Sequence, residues 1–132
     1  MTSGNLRQTP IHLGMGATAT VQPEMKGGLS WYDDYTARTA PDGREGRLVS
    51  CYSFDAPWTS WEMHPEGHEV VICTAGALTL HQEYPDGRTV VVTLQSGDFA
   101  INEPGVWHTA DIDGEATAVF ITAGVGTQHR PR

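Results

Sequence analysis

The chain has 132 residues, a length that suits one domain. It sets 8 Lys and Arg against 16 Asp and Glu, for a formal net charge of −8, which argues against the basic face of a nucleic-acid binder and the polybasic patch of a membrane-surface protein. The longest apolar runs, residues 70–73 and 90–92, fall far short of the roughly 20 residues of a membrane span.

Fifteen glycines and eight prolines favour many short strands and turns over long helices. The first ten residues hold no apolar signal core, so a cytoplasmic protein is expected. Cys51 and Cys73 are expected to be free thiols in that reducing setting, since two cysteines make no disulfide framework.

Residues 1–29 are polar, Gly-rich and poorly periodic, with a short strand around Val21. They read as an arm lying on the domain or on a partner subunit. Ser30 is placed as the N-cap of the one expected helix, with Asp33 in the capping-box position. Trp31, Tyr32 and Tyr35 share one side of that helix, and Pro41-Asp42-Gly43 ends it. Candidate strands follow at 47–54, 58–64, 68–74, 77–84, 88–94, 98–102, 106–112 and 116–122. The segments 84–88 and 95–98 are read as hairpin turns. Pro104-Gly105 has the residue order of a type II turn, and Asp113-Gly114 is a hairpin signal. Eight short strands without helical crossovers predict an antiparallel sandwich or barrel. The tail, 124–132, is expected to be irregular.

The chemistry concentrates in Glu62-Met63-His64-Pro65-Glu66-Gly67-His68-Glu69. Alternate residues of a strand share a face, so Glu62 and His64 point the same way. A hairpin through Pro65-Glu66-Gly67 would bring Glu69 back towards His64. His108 opens its own strand after Pro104-Gly105. Two imidazoles with one or two carboxylates suit a divalent metal: iron, manganese or zinc. If Glu62 and Glu69 lie close together, one must hold a proton unless a cation, such as a metal or Arg47, relieves the repulsion. Glu62 is open to three roles: a fourth ligand, a general base beside the metal, or a solvated strand carboxylate. Val71 and Cys73 share parity with Glu69, which places them in the pocket wall if no bulge intervenes, with a small buried core residue as the other reading of Cys73. His68 is read as a surface residue, His81 as a core residue or cross-strand partner, and His12 and His129 as solvated. Trp58, Trp61 and Trp107 are read as packing or interface residues.

The spacing Glu62-x-His64-x4-Glu69-x6-Gly76 resembles the first signature of the cupin superfamily, and Gly97-Asp98-x9-His108 with Pro104-Gly105 resembles the second. The resemblance covers residues 47–122 and is to small single-domain cupins. It implies an all-β cupin jelly-roll barrel over 47–123, with the arm and one short helix over 1–46. It also implies a homodimer, with the arm a candidate for exchange between subunits. Residue by residue, His64, Glu69 and His108 match the second His, the Glu and the last His of the metal-binding pattern. Glu62 stands where the first His is usual. Two His and two carboxylates leave a divalent metal neutral, a weaker Lewis acid than a three-His site. Glu103 stands where Pro is usual and Pro104 follows, which implies a local loop change without loss of His108. The expected function is a metal-dependent enzyme acting on a small organic molecule by oxygenase, isomerase or cyclase chemistry. The alternatives are a non-catalytic ligand-binding module and a metal-free acid/base enzyme using Glu62 and Glu69.

Overall fold

The computed structural model describes residues 1–132. Nine strands and one helix follow along the chain: β1 (Ile11–Gly14), β2 (Thr18–Val21), α1 (Leu29–Thr39), β3 (Arg47–Phe54), β4 (Ser60–Met63), β5 (Glu69–Glu83), β6 (Thr89–Gln95), β7 (Phe99–Asn102), β8 (Trp107–Thr122) and β9 (Gln128–Pro131).

Two long strands organise the barrel. β5 and β8 run antiparallel over nearly their whole length, from Glu69 opposite Thr122 to Glu83 opposite Trp107. Each bends once. Gly76 stands opposite Ala116 and Leu78 opposite Ile112, so residues 113–115 bulge out against the single residue Ala77. A bulge of this kind bends a strand and raises its twist. One long ladder thereby supplies the middle of two facing sheets. The first sheet runs β2-β1-β3-β8-β5-β7, using residues 116–122 of β8 and 69–76 of β5. The second runs β9-β4-β8-β5-β6, using residues 107–112 of β8 and 77–83 of β5.

This arrangement corrects two expected hairpins. Asp113-Gly114 does not reverse the chain, because β5 holds the ladder on both sides of it. The 95–98 turn does not pair β6 with β7. Both strands lie end to end along one edge of β5, and the turn is fastened to that edge by Gly97 N–H donating to the Cys73 carbonyl and Cys73 N–H donating to the Asp98 carbonyl. The 84–88 turn does close a hairpin, with Tyr84 N–H donating to the Arg88 carbonyl at 2.8 Å.

The core lies between the sheets. Val71, Cys73, Leu78, Leu80, Leu94, Ala110, Ile112, Ala116, Ala118 and Phe120 form one buried cluster. Inward residues alternate with half-exposed ones along 69–73 and 116–120, the pattern of a sheet with one face buried. Cys51 and Cys73 are unpaired.

The N-terminal segment packs on its own barrel, since β1 pairs with β3. The helix begins two residues earlier than expected. Gly28, at φ 89°, precedes it and no side chain caps it, so Ser30 lies inside the helix and is not its cap. Trp31 is buried and stacks on Tyr35 at 5.5 Å. A 3-10 segment, Ala40–Glu45, follows at the expected Pro41-Asp42-Gly43. The tail is not irregular. Residues 128–131 pair with β4, from Ser60 opposite Pro131 to Met63 opposite Gln128, because β4 would otherwise present an open edge. No helix is long and apolar enough to cross a membrane.

Candidate metal centre

β4 and β5 are not paired with each other. Pro65-Glu66-Gly67 carries the chain across the sandwich, from the second sheet to the first, so the expected hairpin is replaced by a crossing. Glu62 and His64 therefore approach from one sheet and Glu69 from the other. His108 sits on β8 directly opposite Glu62. Pro104-Gly105 forms the expected turn: Gly105 has φ 81° and Val106 N–H donates to the Glu103 carbonyl. The Gly105 N–H also donates to the His64 carbonyl at 3.0 Å, which ties the two histidine segments together. The displaced Pro104 leaves His108 in place.

One ligand atom from each of Glu62, His64, Glu69 and His108 lies within 4.8 Å of the others. The Glu69 oxygens stand 3.1 Å from His64 Nε2 and 3.2 Å from His108 Nε2. Glu62 Oε2 is farther, at 3.9 and 3.8 Å from the same nitrogens. Despite these distances, His64 Nε2 and His108 Nε2 are buried with no aligned hydrogen-bond partner. Buried polar atoms are normally satisfied. Two orphaned imidazole nitrogens facing shared carboxylates form a donor set that a divalent ion would complete.

The surrounding groups set the histidine tautomers. Thr127 Oγ1 donates to the Gly124 carbonyl, so it accepts from His64 Nδ1 at 2.8 Å. His108 Nδ1 donates to the Val106 carbonyl. Asn102 Nδ2 and Thr122 Oγ1 donate to the two Glu69 oxygens at 3.0 and 2.6 Å, and Gln82 in turn donates to Asn102 at 2.8 Å. Such outer contacts hold ligands in register and raise their basicity. Asn102, Thr122, Thr127 and Gln82 were not picked out from sequence, because nothing in their local pattern marks them.

Burial alone would raise the Glu69 carboxyl, but the facing imidazoles of His108 and His64 outweigh it and hold the group well below the usual carboxylate range. Burial opposes the Glu62 charge in the same way, and His108 again reverses it. For His108, burial disfavours the cation, yet Glu62 and Glu69 push it up to about 9.

The cluster opens into a cavity of about 870 Å³. Tyr52, Phe54, Trp58 and Phe120 form one wall, and Tyr32, Tyr35 and Thr36 of α1 cover the mouth. Tyr52 donates its hydroxyl to Met25 Sδ, so Tyr32 donates to Tyr52, joining the helix to the barrel.

Other assignments change. Val71 and Cys73 do not line the cavity: both are fully buried in the closed core below it, because parity with Glu69 points them between the sheets. Arg47 is exposed and outside the cavity, so it does not separate the two glutamates. His12 is not solvated but 5% exposed, between Tyr35 and Asp42 at 2.7 Å each. His129 is exposed, yet its Nε2 lies 3.3 Å from Glu62 Oε1, because the unexpected strand β9 sets it opposite Glu62. His81 does find a cross-strand partner, Asp111, at 2.8 Å. Trp61 and Trp107 flank Arg130 outside the cavity, whereas Trp58 lines it.

No family model matches the chain, and no curated protein does. Among solved structures, oxalate oxidase in complex with the substrate analogue glycolate matches with a TM-score of 0.58 at 16% identity, over 70% of this chain and 50% of that one. A conserved protein with a double-stranded β-helix domain from Klebsiella pneumoniae matches with a TM-score of 0.52 at 22% identity, over 64% of this chain and 73% of that one. The chain thus spans half the length of the oxalate oxidase chain. Its fold is the cupin jelly roll.

Proposed function

We propose that the chain binds one divalent metal ion through His64, Glu69 and His108, with Glu62 as a fourth ligand or as a base beside it, and acts on a small organic molecule held in the cavity. The observation that carries this reading is the pair of buried, unpartnered Nε2 atoms converging on Glu69. A bound divalent ion supplies Lewis-acid polarisation of a substrate oxygen or, for iron and manganese, redox chemistry. The protein's own residues supply the rest. Asn102 and Thr122 engage both oxygens of Glu69 and fix it as a ligand. Glu62, half-buried and facing the cavity, is the carboxylate free to move a proton. The aromatic wall and α1 limit water at the reacting atoms.

The deciding experiment is metal content of protein purified without chelator, followed by titration with Mn(II), Fe(II) and Zn(II). One equivalent is expected, and the double variant His64→Ala/His108→Ala is expected to bind none while keeping its β-sheet circular dichroism. Stoichiometric metal in that variant overturns the reading. No metal binding by the parent protein would favour the metal-free readings.

We also infer that the chain pairs with a second copy through the outer face of the first sheet. Val21, Ile11, Val49, Ile121, Val70 and Ile101 align in one row across six strands. Cys51, Val119, Ile72 and Phe99 form the next row. Six strands about 4.8 Å apart span roughly 24 Å, comparable to one side of a standard interface. Both rows are free of charge, so two copies of an acidic chain could meet there without like-charge contact.

A further inference from the structure

We propose that the cavity takes an uncharged aromatic molecule of two or three rings bearing hydroxyl or enolic oxygens, and discriminates against dicarboxylates. This deepens the metal-site reading and rests on it for the placement of the ligand oxygens. The aromatic wall and the charge pattern of the lining do not depend on the metal.

The charge pattern comes first. No Lys or Arg lines the cavity, whereas Asp33, Glu62 and Glu69 do. The arginines with partners are engaged elsewhere: Arg38 on Gln22, Arg44 on Glu45, Arg88 over Tyr84, Arg130 on Glu83 and Arg132 on Asp111. Only His64 and His129 among the lining residues can carry positive charge, and each already faces a carboxylate. A divalent ion held by two carboxylates has no net charge left, and Asp33 makes the mouth negative. Carboxylates and phosphates are held in proteins by fixed guanidinium or ammonium donors. A dianion entering this cavity would lose its hydration and meet no such donor. The likeness to oxalate oxidase is one of fold.

The wall defines what fits instead. Phe54 lies 5.6 Å from Trp58 and 6.1 Å from Phe120, and Tyr52 lies 6.0 Å from Phe120, centroid to centroid. These rings are tilted or edge-on to one another and form a continuous aromatic surface against which an apolar ring can pack. Trp58 is 6.3 Å from the His108 ring, so the surface runs directly to the cluster. A ring laid on it brings edge oxygens to the metal ligands. Tyr32 and Tyr35 of α1 also line the cavity, Tyr32 through its hydrogen bond to Tyr52. A cavity of about 150 Å³ accepts one benzene. The volume of about 870 Å³ therefore has room for fused rings with substituents.

The test uses isothermal titration calorimetry on the full chain, metal-free and loaded with Zn(II). The probes are 2,3-dihydroxynaphthalene and naphthalene-2,3-dicarboxylate, which share a ring system and differ in charge, together with oxalate. The loaded protein should bind the diol about 100-fold more tightly than either dianion. The metal-free protein should still bind the diol, more weakly. Thr36→Arg adds a cation at the mouth and should narrow the preference about tenfold. Equal or tighter binding of the dicarboxylate, or no diol binding to either form, overturns the substrate class. Failure of Zn(II) to bind while the metal-free protein keeps its diol preference overturns the metal reading alone.

Discussion

His64 Nδ1 lies 2.8 Å from Thr127 Oγ1, and the proton of that hydroxyl is committed to the Gly124 carbonyl. The imidazole must therefore donate to Thr127, and in the neutral ring this leaves Nε2 as the lone pair aimed at the cluster. A threonine five residues past the end of β8 thus sets the chemistry of a histidine 63 positions earlier. Thr127→Val keeps the shape and removes the acceptor. It is expected to lower metal affinity roughly 10- to 100-fold with little change in folding. Competitive titration against a chelator of known affinity measures this, and an unchanged constant would remove Thr127 from the site.

The charged pairs predict opposite pH limits for the metal-free protein. The folded pKa of His108 is raised from 6.5 to about 9. Its contribution to stability is complete below 6.5 and is lost as pH rises through about 9. Glu69 is lowered from 4.5, so its contribution is present above 4.5 and is lost as pH falls. Urea midpoints should therefore be highest between these limits and decline on both sides. Metal must displace the His108 proton, so affinity should rise with pH up to about 9. A pH-independent affinity between 6 and 9 would count against His108 as a ligand.

Glu62 is tested by restoring a histidine. Its carboxylate is 3.8 and 3.9 Å from the two Nε2 atoms, against 3.2 and 3.1 Å for Glu69, so it is the loosest of the four. Glu62→His should tighten Zn(II) binding if the position is a ligand, since imidazole nitrogen suits zinc. Unchanged affinity with lost activity would make Glu62 a base instead.

The outer face of the first sheet carries its own prediction. Ile121 sits mid-row between Val49 and Val70. Ile121→Glu puts a charge at the centre of the inferred dimer surface and should convert dimer to monomer in light scattering behind size exclusion. A monomeric parent protein at micromolar concentration would end the inference.

The four residues of the cluster were legible in the sequence through the strand period, one turn and the cupin-like spacing. Glu62 and His64 share parity, and Pro104-Gly105 starts the His108 strand. What surrounds them was not. His129 reaches Glu62 only because β9 forms, and the sequence Gln-His-Arg-Pro gives no strand signal strong enough to announce it. Val71 and Cys73 had the right parity but the wrong depth, since alternation tells which face a residue takes and not how far along the barrel the cavity extends. The Asp113-Gly114 error has the same origin. The local residues favour a hairpin, and the long ladder between β5 and β8 overrides them.

That ladder depends on Gly76. It has φ 71°, and a Cβ there would stand 2.0 Å from the Glu115 carbonyl oxygen. Glu115 belongs to the bulge that bends β8, so the collision falls on backbone at the corner where one sheet becomes the other. Gly97 offers a matched control, at φ 92° with nothing within 4 Å of its Cβ position. Gly97→Ala should cost about 1–2 kcal/mol, the penalty of the left-handed region alone. Gly76→Ala carries that penalty plus displacement of the corner and should cost about 3 kcal/mol or more. Urea denaturation of both variants isolates the collision as their difference. Equal losses would mean that the corner yields freely, and that the motif glycine is required for its backbone angle alone.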